Sequence, residues 1–162
     1  MGPSAEQERA LRLAEEAVST ARGLPARPVL AMALTRATET ALLADQPRTA
    51  ADILVELLGV VADLGGRRWV ADALETAALV LEAEQDTGRA AAILGASDQL
   101  RKAAGEASGG VRVIAEEVRH SRDRLASALG PERFSQHELR GRALSREAAI
   151  TLALAGLTAR GP

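Results

Sequence analysis

Apolar residues recur along this chain at intervals of three and four, and glycine or proline interrupts the pattern at regular distances. This spacing places apolar side chains on one face of a helix, so it predicts amphipathic helices joined by short turns. No segment alternates with a period of two, and no strand is predicted. The first five helices are expected from the Ser4 cap to Gly23, from Pro28 to Ala44, from Pro47 to Gly65-Gly66, from Arg68 to Gln85 and from Gly88 to Ala104.

The first helix begins with a capping-box sequence, Ser4 followed by Gln7. We expect its inward face to carry Ala10, Leu13, Ala14, Ala17 and Ala21.

The helices of the carboxyl-terminal part do not follow the regular arrangement of the first five. After Gly105 and Gly109-Gly110, a longer amphipathic helix is predicted to end at Gly130, a short one to run from Pro131 to Leu139, and a last one to follow a Ser145 cap. The apolar residues that indicate the first and last of these helices are Val111, Ile114, Val118, Leu125 and Leu129, then Ile150, Leu152, Ala153 and Leu157.

The second and third helices have a copy forty residues later. Leu34, Ile53 and Leu54 correspond to Leu74, Ile93 and Leu94, and small residues match around them. A fixed period of this size is typical of helical-hairpin arrays, in which each hairpin buries its apolar face against its neighbours. We predict one domain over residues 1–162, with about two and a half hairpin repeats over 4–105 and capping helices over 111–159.

Composition narrows the possible functions only modestly. A formal net charge of −2 gives the whole chain no attraction for nucleic acid or acidic membranes. Without cysteine, neither a disulfide framework nor a cysteine-ligated zinc site forms. We expect a cytoplasmic chain, because no apolar run is long enough to cross a membrane and the first ten residues do not resemble a signal peptide.

The repeat positions resemble those of the tetratricopeptide motif. The small and large positions of that motif correspond to Leu74, Ala77, Ala78, Leu81, Ala90, Leu94 and Ser97, and in the upstream copy to Leu34, Ala37, Thr38, Ala41, Ala50, Leu54 and Leu57. The period is forty residues, whereas the motif has about 34. The resemblance implies an all-α fold in which antiparallel hairpins form a tetratricopeptide-like superhelix, closed by a carboxyl-terminal capping segment.

A second resemblance covers roughly residues 67–155. Phe134, the segment GRALSREA at 141–148 and Leu152-Ala153-Leu154 are similar to the closing segment of tetratricopeptide-like regions in large ATP-binding transcriptional regulators of the LuxR and AfsR kinds. Glu138 stands where that family commonly has a tryptophan. The resemblance implies the sensory or interaction arm of a bacterial regulator.

Motifs for other chemistry are incomplete. Lys102 has no glycine-rich turn before it, so no phosphate loop is predicted. Glu117 and His120 have di-iron spacing, but the second copy fails at Phe134 and His137, so we interpret both histidines as surface residues and predict no metal site. The basic segment 119–124 has acidic neighbours, which favours charge pairing within the helix. The last helix lacks a following recognition helix, so direct DNA binding is not predicted.

The concave face is the candidate binding site. If the first helix of each hairpin lines it, as in tetratricopeptide stacks, the exposed residues are Met32, Thr35, Glu39, Leu42, Asp72, Glu75, Leu79 and Glu82. Acids alternating with apolar side chains suit an apolar and basic peptide or helix. Alternatively, the carboxyl-terminal helices cover this face and bury Leu42 and Leu79 as ordinary core.

These observations predict a non-catalytic interaction or sensory domain of a bacterial transcriptional regulator. Its expected partner is a protein or peptide, with another domain of the parent regulator as one candidate, and no cofactor, metal or membrane partner is expected. A free-standing adaptor and a helical domain that holds a small apolar molecule between its hairpins remain alternatives. The sequence leaves the oligomeric state open.

Overall fold

The computed structural model describes residues 2–105 and 114–159, and within these ranges it contains eight α-helices and no strand. The predicted all-α fold of antiparallel helical hairpins is confirmed. The helices are α1 (Ala5–Arg22), α2 (Arg27–Leu43), α3 (Pro47–Leu64), α4 (Arg67–Ala83), α5 (Thr87–Ala103), α6 (Ala115–Leu129), α7 (Pro131–Arg142) and α8 (Arg146–Thr158). The predicted helical residues at 111–113 and the Gly109-Gly110 break lie outside the described ranges.

Local sequence explains where the helices begin. Ser4 and Gln7 form the predicted capping box, and the Ser145 side chain accepts a hydrogen bond from the Ala148 amide. Pro47 and Pro131 are the first residues of α3 and α7, where the absent amide hydrogen leaves no helical bond unmade.

The α2–α3 and α4–α5 hairpins have equivalent backbones. Their turns place Asp45 and Gln85, forty positions apart, in the left-handed region with φ of 56° and 66°. Gly65 and Gly105, which follow the second helix of each hairpin, both have a φ of 72°. The repeat in the sequence is therefore a repeat in the chain conformation.

The repeated leucines form the centre of the core. Leu34, Leu54, Leu74 and Leu94 are each 0% exposed. Small residues between them, including Ala77 and Ala90, allow the paired helices to approach closely.

Helix α4 is the central helix of the molecule. It contacts α2, α3, α5, α6 and α8, and every residue from Ala73 to Leu81 is buried. A helix that is buried all round must place each of its polar side chains against a partner.

Helices α6, α7 and α8 cover the second hairpin. Helix α7 packs on α5, α6 contacts α4, α5 and α7, and α8 packs across α3, α4 and α5. The α5–α7 crossing is so close that a Cβ atom added to Gly141 would lie 1.7 Å from the carbonyl oxygen of Ala92.

The expected inward face of α1 is wrong at three positions. Ala10, Leu13 and Ala17 are exposed, whereas Val18 and Ala21 are the buried residues of this helix. Among the described helices α1 packs on α2. Because of this contact, α1 turns a different face inward than its apolar spacing suggested.

Candidate functional site

The predicted concave face consists of neighbouring positions on α2 and α4, which contact each other in the structure. On α2, Met32 is 59% exposed, and Thr35 and Leu42 are half-buried. On α4, Asp72 and Glu82 are half-buried. These five residues stay at or near the surface.

The expectation that all eight residues are exposed is wrong for Glu39, Glu75 and Leu79, whose exposures are 2%, 4% and 5%. Glu39 accepts a hydrogen bond from the Arg36 guanidinium at 2.8 Å. The alternative interpretation expected Leu42 and Leu79 to be buried as ordinary core. Leu79 is buried in the core, whereas Leu42 is only half-buried.

Glu75 belongs to an ion-pair cluster inside the second hairpin, which we call the α4–α5 ionic cluster and define by Asp72, Glu75, Ser97 and Arg101. Arg101 is 1% exposed and donates to both oxygens of Glu75 at 2.7 and 2.8 Å, and it also pairs with Asp72. The Ser97 hydroxyl lies 3.2 Å from Glu75 Oε1 and from the Ala71 carbonyl oxygen. The hydrogen bonds that Arg101 donates to Glu75 raise the pKa of Arg101 well above its usual value, against the opposing effect of burial.

Arg101 explains why this helix face is not available to a partner. A buried guanidinium needs carboxylates close by, because an unpaired buried charge is very costly. Two of the acids expected to face a ligand, Asp72 and Glu75, pair with it instead. The sequence signal was present: Ser97 and Arg101 lie four residues apart on the face of α5 that meets α4.

Between α2 and α6 an open channel remains, with a volume of about 550 Å³. We call it the α2–α6 channel. Its apolar wall comes from α2, α4 and the residue before α6, and its polar rim from α4, the following turn and α6. The lining residues are Leu42, Leu43, Leu79, Glu82, Ala83, Gln85, Ile114, Glu117 and Arg124.

Arg124 connects the two sides of this rim. Its guanidinium donates to both oxygens of Glu82 on α4, at 2.6 and 3.0 Å, and to Glu117 on its own helix at 2.8 Å. These hydrogen bonds raise the pKa of Arg124, and those with Glu82 have the largest effect. The pairing expected within the helix is present, but the same arginine also fixes α6 to the central helix.

A second arginine holds α6 from the other side. Arg122 donates to Asp98 of α5 at 2.7 Å and pairs with Glu138 of α7. Glu138 therefore joins α6 and α7 through charge.

Sequence reasoning missed most of the channel. Leu42, Leu79 and Glu82 were singled out, whereas Leu43, Gln85, Ile114 and the α6 residues were not. Glu117 and Arg124 are seven residues apart, a spacing that places them on one face of α6. No sequence pattern indicated that this face would turn toward α2.

Other chemistry has little support in the described residues. His120 is exposed and His137 is half-buried beside Gly88. Within residues 2–105 and 114–159, no group of three or more potential ligands is arranged to hold a metal ion. No helix in that part of the chain is long and apolar enough to span a membrane.

The fold and the channel define an all-helical protein built on repeated hairpins, with a partly covered concave face. In comparisons with known proteins, no family model, no curated protein and no solved structure matches the chain.

Proposed function

We propose that this chain is a non-catalytic interaction domain that binds an apolar and basic helix or peptide in the α2–α6 channel. The observation that supports this most directly is the channel's open apolar wall, in which Leu43 is 58% exposed. An exposed apolar surface bordered by polar groups is typical of a recognition site.

The charge around the channel favours a basic partner. Glu82 and Glu117 share the single cation Arg124. The two hairpin turns beside the channel add Asp45 and Glu84, both exposed. The excess of carboxylates attracts a cationic segment and orients it along the rim.

The proposed binding mode is an amphipathic helix in a groove. Its apolar side chains contact Leu42 and Leu43, while its lysine or arginine side chains meet the acidic rim. Because many of the acids expected to serve recognition are engaged inside the protein, we expect affinity to come mainly from apolar burial and the charges to set orientation.

The biological setting we propose is a tetratricopeptide-like sensory or interaction arm of a bacterial LuxR- or AfsR-type transcriptional regulator. The support is the aromatic residue followed by GRALSREA and a leucine-alanine helix in the sequence. A parent reading frame that also encodes a phosphate-loop ATPase would support this setting, and a free-standing gene would favour an adaptor. In either setting the domain acts by binding and needs no reaction of its own.

A small-molecule site is the second candidate, because the channel volume lies within the range of roughly 300–1,000 Å³ that ligand pockets have. An apolar ligand bound along Leu42, Leu79 and Ile114 would leave the acidic rim without a role. The charge distribution therefore favours the peptide.

The test is an amide chemical-shift titration of the chain with a synthetic basic amphipathic helix. We expect shifts to concentrate at the end of α2, at residues 82–85 and along α6. Leu43→Glu should abolish them, whereas Leu139→Glu should not, since Leu139 is equally exposed, at 60%, but lies on α7.

A variant of the rim charge adds a second control. Glu117→Lys should weaken binding severalfold, and Glu132→Lys on α7 should leave it unchanged. Equal effects of the two leucine variants, or shifts spread over the whole surface, would contradict the channel as the site. Native mass spectrometry that finds a bound apolar molecule would favour the small-molecule alternative.

A further inference from the structure

Helix α1 presents an apolar stripe that no other described helix covers. Ala10, Leu13 and Ala17 are exposed, Leu13 by 55%. Leu24, just after the helix, continues the stripe and is 50% exposed. The stripe does not border the α2–α6 channel, so it needs its own explanation.

The equivalent residues of the later repeats show which contacts this face makes in a complete hairpin. Forty residues later Ala10 corresponds to Ala50, and eighty residues later to Ala90, both of which are 0% exposed. In α5 this face meets the first helix of its own hairpin, because Ser97, the counterpart of Ala17, donates to α4. Helix α1 therefore has the contact face of a second hairpin helix without a described first helix against it.

The spacing of the stripe matches a helix-pairing seam. Ala10, Leu13 and Ala17 are separated by three and four residues, as in helices that pair along their length, and the polar residues Glu6 and Thr20 continue this spacing at the two ends. Alanines on both sides of Leu13 allow a second helix to approach closely, with the leucine filling the space between them.

Charges beside the stripe indicate which helix fits. Arg9 lies beside the amino half of the stripe and Glu16 beside its carboxyl half, while Glu6 and Glu8 add acids in the first turn of α1. None of these four side chains makes an ion pair in the described structure, although most arginines elsewhere do. The partner that complements the two flanking charges is an antiparallel helix with an acid opposite Arg9 and a base opposite Glu16.

We propose that the partner is α1 of a second copy of this chain, which has that charge order itself. In a two-fold antiparallel pairing centred near Leu13, Ala10 lies beside the other copy's Ala17, and Arg9 meets the other copy's Glu16. The symmetry forms each of these contacts twice. In this pairing each α1 helix covers the apolar stripe of the other.

The dimer is weak. A helix of 18 residues is about 27 Å long, so one pair of such helices buries less than the roughly 800 Å² per partner of a stable interface. We expect a dissociation constant on the order of 100 µM, with ion pairs that weaken as salt rises.

Sedimentation equilibrium of the full chain between about 10 µM and 1 mM tests the proposal. The average mass should rise from 16.9 kDa toward twice that value. Leu13→Glu should weaken association at least about tenfold, because it places two carboxylates at the symmetry axis. Leu139→Glu, equally exposed on α7, should associate like the natural chain.

Exchanging two charges in a double variant distinguishes specific pairing from nonspecific association. Arg9→Glu should weaken association severalfold, and Arg9→Glu combined with Glu16→Arg should restore it. Circular dichroism checks that each variant is folded. A monomer at all concentrations, equal losses in the two leucine variants, or failure of the exchange to restore association would overturn the proposal.

A peptide with the sequence of residues 27–43 serves as a competing probe. If it protects α1 from hydrogen exchange while the chain alone stays monomeric, the stripe is a docking face for a foreign first helix and the second copy is excluded. Leu43→Glu should not change self-association, so this result is independent of peptide binding in the channel.

Discussion

The two hairpins share a backbone but differ in what fills the space between their helices. Where the α2–α3 hairpin has Met32, Thr35, Leu57 and Val61, the α4–α5 hairpin has Asp72, Glu75, Ser97 and Arg101 at the positions forty residues on. Leu57 and Val61 are 0% exposed, and so is Ser97, while Arg101 is 1% exposed. The buried pair Leu57 and Val61, with exposed Met32 and half-buried Thr35, thus occupies the places that the ionic cluster takes in the second hairpin.

The difference shows that the repeat fixes the chain path and leaves the interior chemistry free, provided that every buried polar group is satisfied. Substitution of one partner alone breaks that condition, whereas replacing the whole cluster does not. The α4–α5 ionic cluster also explains why Asp72 and Glu75 are poor candidates for recognition, in contrast to Glu82 at the channel rim.

The largest expected effect comes from removing Arg101. Arg101→Leu removes the guanidinium that donates to both oxygens of the buried Glu75 carboxylate, and we expect a loss of about 3–5 kcal/mol in the free energy of unfolding. Urea denaturation measures it. Arg124→Leu is the control, because Arg124 is 49% exposed on its side chain and should cost less than about 1 kcal/mol.

The companion variant makes the second hairpin resemble the first. Asp72→Met, Glu75→Thr, Ser97→Leu and Arg101→Val together remove every member of the cluster, and the change should be about neutral or stabilising by up to roughly 4 kcal/mol. If this variant is as unstable as Arg101→Leu alone, the two interiors are not interchangeable.

A second difference is that α5 is crossed closely by α7. Gly141→Ala should destabilise the protein by on the order of 3 kcal/mol, because the added methyl group meets the Ala92 carbonyl oxygen and the two backbones must separate. Thermal unfolding measures the change.

Gly59 in α3 is the matched control, since a Cβ atom there meets nothing within 4 Å. Gly59→Ala should stabilise the protein by about 0.5–1 kcal/mol, through helix propensity alone. Equal effects of the two alanines would show that the α5–α7 crossing is looser than described.

The equivalent turns of the two hairpins differ less, and we expect smaller changes in stability from substitutions there. Gln85 and Asp45 both occupy the left-handed region, which aspartate tolerates better than glutamine. Gln85→Gly should therefore stabilise the protein by about 0.5–1 kcal/mol, and Asp45→Gly by less. Chemical denaturation of both variants checks the order, and a larger gain at Asp45 would contradict it.

The smallest effect concerns the contact of α1 with the first hairpin. The Arg22 guanidinium, which donates to Glu56 at 2.5 and 3.1 Å, lowers the pKa of Glu56 below its ordinary value of 4.5. A depressed carboxyl pKa contributes stability above pH 4.5 that is lost as the pH falls through the folded value.

Arg22→Ala should raise the pKa of Glu56 toward 4.5 and reduce the loss of stability in acid, with little change at neutral pH because the pair is exposed. Carbon-detected NMR titration of the Glu56 carboxyl group follows this directly. Arg9→Ala, which removes no described ion pair, should leave the titration unchanged.

The sequence predicted the helices well because their signals are local. Caps at Ser4 and Ser145, prolines at the helix starts and the glycine after α3 act over a few residues, so they are readable without the fold. The forty-residue repeat also identified Leu34, Leu54, Leu74 and Leu94 as core, since a repeated contact must be repeated in sequence.

The candidate site was only partly predictable. Which face of α1 is covered, where α6 lies, and whether Glu75 meets water or Arg101 all depend on contacts between residues far apart in the chain. Periodicity states that a face is apolar or charged, but it does not state which neighbour covers that face.

The sequence by itself thus determined the helical hairpins and their repetition, because helix caps, turns and apolar spacing are encoded over short distances. Only the tertiary structure decided that Arg101 would engage the acids of α4, that α6 would leave the α2–α6 channel open, and that Leu13 would face outward. These outcomes follow from which charges and surfaces meet when distant helices pack, and that is a property of the assembled chain.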